Sequence, residues 1–219
     1  MIVDHNNMFY RKRWENAGEH RFNGAYYYSR EIVKNIIPNV KTDRNWVTIN
    51  AVVPRVNHAI IFVHDNLAPA STYGWLGYSR DLIMVCGVKD TMDKVRRYGT
   101  PVYLPLSVDT EYLEQFKTEK TKDTAYVGRG GKPGTEKLPK NIDYLSGMSR
   151  EMLLREMAKY RKVYAVGRCA IEAKVLGCEV LPFDSRYPDP SIWKILDNKD
   201  AAKLLQAEID KIDKRGKEK

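Results

Sequence analysis

One stretch constrains this chain more than any other: Tyr164-Ala165-Val166-Gly167-Arg168-Cys169-Ala170-Ile171-Glu172-Ala173-Lys174-Val175-Leu176-Gly177-Cys178-Glu179-Val180-Leu181-Pro182. A short apolar run turns at Gly167-Arg168. A helix-like segment follows and stops at Gly177, where glycine suits a helix end, and a second short apolar run closes at Pro182. This is the outline of a strand, a phosphate-facing turn, a helix and a strand. A single acidic residue, Glu172, sits inside the helical segment close to the turn.

The same grammar recurs upstream. Residues 46–53 are rich in β-branched side chains and stop at Pro54, while 58–63 and 82–88 are nearly all apolar, as strands buried on both faces are. Helical spacing runs from 25 to 37 and ends before Pro38, a second helix is expected over 90–98, and a strand over 101–106 leads to a helix over 110–116. Residues 1–3 are a first strand candidate, and 9–22 read as a loop or arm. Alternating strands and helices of these lengths predict parallel sheets covered on both faces. Residues 117–123 contain no apolar side chain and are the expected linker. It divides the chain into two Rossmann-like domains, 1–117 and 124–219. The second restarts with a strand over 124–127, continues through a strand over 143–146, and has Ser149 as N-cap of a helix reaching Tyr160. An amphipathic helix is expected over 201–212, with a frayed charged tail from 211 to 219. This last helix belongs to the second domain or packs back on the first.

Composition narrows the function classes. Apolar residues make up 43% of the 219, enough for a sizeable core. The formal net charge is +9, and most of the excess falls in residues 117–219, where 23 Lys/Arg meet 16 Asp/Glu. Such a balance favours phosphate-bearing partners or, equally, a solubilising surface. Cys86, Cys169 and Cys178 form no C-x-x-C pair and sit in apolar surroundings, which reads as reduced, buried thiols of a cytoplasmic protein. Four histidines without i, i+4 spacing make a zinc site an unfavoured expectation. The N-terminal residues lack the pattern of a signal peptide, and no apolar run is long enough to span a membrane.

Two loops carry candidate chemistry. Gly128-Arg129-Gly130-Gly131-Lys132-Pro133-Gly134 follows a strand, and a glycine-rich turn there can cradle phosphate through backbone N–H groups. Neither full phosphate-loop motif is present, so a flexible surface turn is the competing reading. His64-Asp65-Asn66 closes the strand over 58–63, and polar groups at the carboxyl end of a buried strand are where open α/β sheets contact ligands. A hydrogen-bonded structural role is the alternative for His64.

Taken in order, these segments resemble the GT-B-fold glycosyltransferases. The strand 124–127 with Gly128, Arg129 and Lys132 resembles the start of their donor domain. Leu145-Ser146-Gly147-Met148-Ser149 resembles the next strand-loop-helix. Ala170-Ile171-Glu172-Ala173 with Leu176-Gly177-Cys178-Glu179-Val180-Leu181 resembles their "EA…G.PV" segment. Tyr103-Leu104-Pro105-Leu106-Ser107-Val108-Asp109 is similar to the segment that ends the acceptor domain, and Val63-His64 to the strand-end histidine. The likeness covers roughly residues 1–185, and the order of the motifs carries it more than any one of them. It implies two Rossmann-like domains facing across a cleft in a reduced GT-B arrangement, with a UDP- or GDP-linked sugar as co-substrate, no metal and no other cofactor. It further implies that Gly128, Arg129, Lys132 and Arg168 hold the donor diphosphate. Gly147, Met148, Ile171 and Glu172 take the nucleoside, Glu172 accepting from ribose hydroxyls. His64 faces the transferred sugar, with Asp65 as a nearby base.

The chain departs from that pattern. Retaining members carry a carboxylate ahead of the second Glu, and Tyr164 stands at the matching place. The compact length is similar to phage or prophage glycosyltransferases, which places the protein in the cytoplasm of a bacterial host. The basic balance makes DNA, for instance a hydroxymethylated base, one candidate acceptor, while a wall glycan or a protein acceptor would not need the basic excess. Two further readings stay open: a nucleotide or nucleotide-sugar binding protein that has lost catalysis, and a non-catalytic DNA-binding protein.

Overall fold

The computed structural model describes residues 24–48, 56–63 and 77–217. It shows an α/β protein with two four-stranded, all-parallel sheets, consistent with the Rossmann-like class. The chain divides into two units: residues 25–105 with 198–219 contribute to the first, and 106–197 to the second. This differs from the expected linker at 117–123. There the chain runs straight into a strand that begins at Lys122, so charge without apolar content marks an exposed strand start rather than a boundary.

In the first unit, β1 (Asn45–Thr48), β2 (Asn57–Val63), β3 (Arg80–Cys86) and β4 (Thr100–Tyr103) lie side by side in that order. Both faces are buried over residues 59–63 and 82–86, which is why these stretches read as unbroken apolar runs. Val47, Ala59, Ile61, Val63, Leu82, Met84 and Cys86 form one layer. It packs against Val95 of helix α2 (Lys89–Val95). Trp46 and Phe62 stack on the opposite face, ring centroids 6.1 Å apart. The expected helix over 25–37 is α1 (Gly24–Glu31), continued by a π-helical turn (Ile32–Ile36) and a 3₁₀ turn through Pro38. The proline lacks an N–H and tightens the exit.

The C-terminal helix α6 (Asn198–Lys217) falls in the first unit. Gln206 bonds both the N–H and the carbonyl of Lys41, and Asp213 accepts from Arg44 at 2.8 Å. These bonds, with the Glu208–Lys211 pair, continue the helix to Lys217, through the tail expected to fray. No helix among the described residues is long and apolar enough to cross a membrane.

In the second unit, β5 (Lys122–Val127), β6 (Asp143–Leu145), β7 (Tyr160–Tyr164) and β8 (Glu179–Leu181) pair in the order β6-β5-β7-β8. Helices α3 (Thr110–Glu114), α4 (Arg150–Met157) and α5 (Arg168–Val175) complete it. Ser149 caps α4 by accepting from the Met152 N–H at 3.4 Å. The helix expected to reach Tyr160 stops at Met157, because Tyr160 already begins β7. Arg161 and Lys162 on that strand are exposed and disguised it, so the apolar run 164–166 is its end and turn.

At the amino edge of the first sheet, His58 and Asp81 occupy left-handed backbone, φ 49° and 53°, between the register pairs Asn57–Arg80 and Ala59–Leu82. Asp and His tolerate this region better than most side chains. His58 Nδ1 lies 2.6 Å from Asp81 and Nε2 3.1 Å from Asp43, while buried Arg44 pairs with Asp81 and Asp213. The hydrogen bond to Asp81 and the second bond to Asp43 raise the His58 pKa above 6.5. The stabilisation is therefore complete below the unfolded value and is lost as pH rises through the folded one. Urea unfolding between pH 6 and 9 should show stability falling with pH in the wild type. The slope should flatten in His58→Asn, which keeps a residue tolerant of this backbone; an unchanged slope contradicts the assignment.

Candidate functional site

The strand order of the second unit fixes where a ligand fits. From β5 the chain moves to β6 on one side, and from β7 it moves to β8 on the other. The connections diverge between neighbours β5 and β7, which makes their carboxyl ends a topological switch point. Open α/β sheets bind ligands in the crevice at that place. The loops that leave it are Gly128–Gly134 after β5 and the short turn Ala165-Val166-Gly167 after β7, which leads directly into α5.

Each loop is built by local necessity. Gly167 caps α5 with φ 63° and ψ −134°, a combination open essentially to glycine. At Gly128 a Cβ would meet the Tyr126 hydroxyl at 2.7 Å, so the absence of a side chain lets that hydroxyl reach past and donate to the Arg129 carbonyl at 3.0 Å. Thr135 fixes the far side of the loop: its N–H and its hydroxyl both donate to the Lys132 carbonyl, at 3.1 and 2.8 Å. Burial pushes the Tyr126 hydroxyl up to about 12, keeping it a neutral donor.

Glu172 lies at the centre of the site and is fully buried. Arg150, the first residue of α4, donates to both carboxylate oxygens at 2.7 and 2.5 Å, and Arg168, the first residue of α5, donates to one of them at 2.7 Å. The side chains of Arg168 and Arg150 are only 6% and 13% exposed. Burial alone would raise the Glu172 pKa, but the two guanidinium charges and their hydrogen bonds outweigh it and hold it below the usual value. The carboxylate expected to receive ribose hydroxyls is thus enclosed by arginines and joins two helix starts.

The other expected residues are distributed unequally. Arg129 is exposed, and Lys132 is half-buried and close enough to Cys169 for its charge to act on the thiol. Cys169 is half-buried at the start of α5, not in the apolar surroundings expected for it. Its thiol is raised by burial and by the Glu172 charge, against Arg150, Lys132 and Arg168. Gly147 (φ 71°) and Met148 precede α4 by a few residues and so lie beside Arg150 in sequence. Ile171 is 1% exposed, a core side chain rather than one offered to a nucleoside. Tyr164 ends β7 with its ring edge-on to Phe183 at 6.3 Å. His64 and Asp65 lie outside the described residues.

Arg150 was the residue sequence reasoning missed. A signal existed: it stands at the first position of a helix, where the macrodipole disfavours a cation, and so does Arg168. Two arginines at two helix starts call for a common negative partner, and Glu172 supplies it. Among the described residues no group of three His, Cys, Asp or Glu side chains is placed to hold a metal ion. Comparison of the chain with protein-family models, curated proteins and solved structures finds no match.

Removing one partner of a buried ion cluster leaves charge stranded. Glu172→Ala should lower unfolding free energy by about 3–5 kcal/mol in urea titrations followed by circular dichroism; a loss under about 1 kcal/mol contradicts a structural role for the cluster. Because the folded pKa lies below the ordinary value of 4.5, the contribution is present above the unfolded value and lost only as pH falls through the folded one.

Proposed function

We propose that the second unit binds the diphosphate of a nucleotide at the carboxyl ends of β5 and β7, and that the protein is a nucleotide-sugar-dependent glycosyltransferase. The observation that carries the binding step is the divergence of the chain between β5 and β7, with Gly128–Lys132 on one side and Gly167–Arg168 on the other. Arg129 and Lys132 supply positive charge from the loop. The start of α5 adds N–H groups aimed along the helix axis. Arg150 and Arg168, held by Glu172, keep the base of the site positive and rigid.

Glycosyl transfer follows from the chemistry such a site does best. A nucleoside diphosphate leaves with accumulating negative charge, and fixed cations lower the barrier to its departure. The resemblance gives acceptor binding to the first unit, and to His64 and Asp65 the roles of sugar contact and base. The enclosure of Glu172 assigns it to fixing the arginines, so ribose recognition passes to the Gly147-Met148 loop in this reading. DNA is the acceptor candidate favoured by the positive balance of residues 117–219.

A second reading, a nucleotide-binding protein without turnover, is favoured by Tyr164, an aromatic side chain where retaining enzymes of this kind carry a carboxylate. A calorimetric titration with UDP and GDP at low salt, followed by a turnover assay with their sugar conjugates, separates the two. Binding that weakens about tenfold or more in Arg129→Ala, an exposed residue, supports the site; each tenfold is about 1.4 kcal/mol. Absence of binding by both nucleotides contradicts it, and binding without hydrolysis or transfer selects the second reading.

A further inference from the structure

The second sheet holds another site, away from the switch point. Parallel sheets are ordinarily covered on both faces. Here the first half of β5 and the middle of β7 are open: Lys122, Asp123, Arg161 and Lys162 are exposed, and Thr124 is half-buried. Pro139, Asn141 and Ile142, from the connection between β5 and β6, stand beside the start of β5. Between them lies a hollow of about 490 Å³, broadly open to solvent. That is within the range of sites that take small molecules.

Its chemistry is mixed and held in place. The Tyr160 hydroxyl donates to Asp143 Oδ2 at 2.5 Å and accepts from Lys122 Nζ at 3.2 Å. Lys122 also pairs with Glu156 at 3.1 Å, a carboxylate that Lys159 shares at 2.6 Å. The Thr124 hydroxyl donates to Asp123 Oδ2 at 2.9 Å. The remaining carboxylate oxygens of Asp123 and Asp143 are acceptors for a ligand, and the Asn141 amide can both donate and accept. The Tyr164 ring, Pro139 and Ile142 supply apolar wall.

Few ligand classes match this combination. Two carboxylates repel an anion, which separates the cavity from the phosphate site. A wholly apolar ligand would desolvate Asp123, Asn141 and Asp143 without replacing their hydrogen bonds. A polyamine carries donors only: it would satisfy the carboxylates but offer no acceptor to the Asn141 amide N–H groups. A neutral saccharide has C–H faces that lie on an aromatic ring and hydroxyls that both donate and accept. We propose that this cavity binds a neutral saccharide ring, with Asp123, Asn141 and Asp143 holding its hydroxyls and Tyr164 supporting its apolar face. The site uses none of the residues assigned to the diphosphate, although Tyr164 ends β7 and so stands between the two.

Saturation-transfer NMR with methyl β-glucoside, methyl β-galactoside and N-acetylglucosamine at millimolar concentration tests this, with spermidine as the competing probe. The expected result is transfer to the ring protons of at least one sugar. Asn141→Ala and Asp143→Asn should each weaken that binding about fivefold, the value of one hydrogen bond of about 1 kcal/mol. Asn141 is exposed, so its substitution does not threaten the fold. UDP affinity, measured in parallel, should stay unchanged in both variants, so that loss of the diphosphate reading and loss of this one are told apart. No transfer to any of the three sugars overturns the proposal, as does preferential binding of spermidine, or saccharide binding that both substitutions leave intact.

Discussion

The Arg150–Glu172–Arg168 cluster is the constraint on which the second unit depends. It joins the first residues of α4 and α5 through one fully buried carboxylate. Both arginines sit where their own helix dipoles oppose them. Taken singly, each is an unfavourable choice; taken with Glu172, they form a bidentate and a monodentate charge-assisted contact that holds two helix starts in fixed relation. Burying three charges costs solvation that the contacts must offset, so the cluster confers definition rather than surplus stability. What it defines is the edge of the sheet where β5 and β7 end.

Around that edge the remaining contacts are consequences. The Tyr126 hydroxyl reaches the Arg129 carbonyl only because residue 128 has no side chain. The loop 128–142 is further tied down at Asp184, which accepts from Lys137 at 2.7 Å and from Arg186 at 2.6 Å. Those bonds hold the buried Asp184 carboxyl well below the ordinary carboxylate range. Tyr126, Tyr144, Phe183 and Tyr187 form a run of ring contacts nearby, from buried Tyr126 out to exposed Tyr144. Arg129 and Lys132 are thereby carried on a loop whose base is rigid. Rigid support for one exposed and one half-buried cation is an arrangement that binds phosphate with little reorganisation.

Much of this architecture was legible in the sequence, for reasons that differ by element. Strands buried on both faces announce themselves as apolar runs, so β2 and β3 were plain. The helix α5 was bracketed by Gly167 and Gly177, and α4 by Ser149. What escaped was strand character under charge: Lys122-Asp123 and Arg161-Lys162 alternate between the two faces yet are all exposed, and no period-based signal reports a strand uncovered on both sides. The full length of α6 escaped because Asp213 and Gln206 are secured by Arg44 and Lys41, more than 160 residues away in sequence. Glu172 was legible as important, but its partner Arg150 was not, since pairing across 22 residues is a property of packing. The resemblance that suggested a ribose role assumed an accessible carboxylate, and the two arginines enclose it.

The central claim is that a diphosphate sits between the ends of β5 and β7. Backbone amide shifts in ¹H–¹⁵N NMR, recorded while UDP is added, address it residue by residue. The account predicts that the largest movements fall on Gly128–Lys132 and on Gly167–Cys169, with smaller ones at Gly147 and Arg150. Movements confined to other parts of the chain, or none at saturating nucleotide, would contradict it.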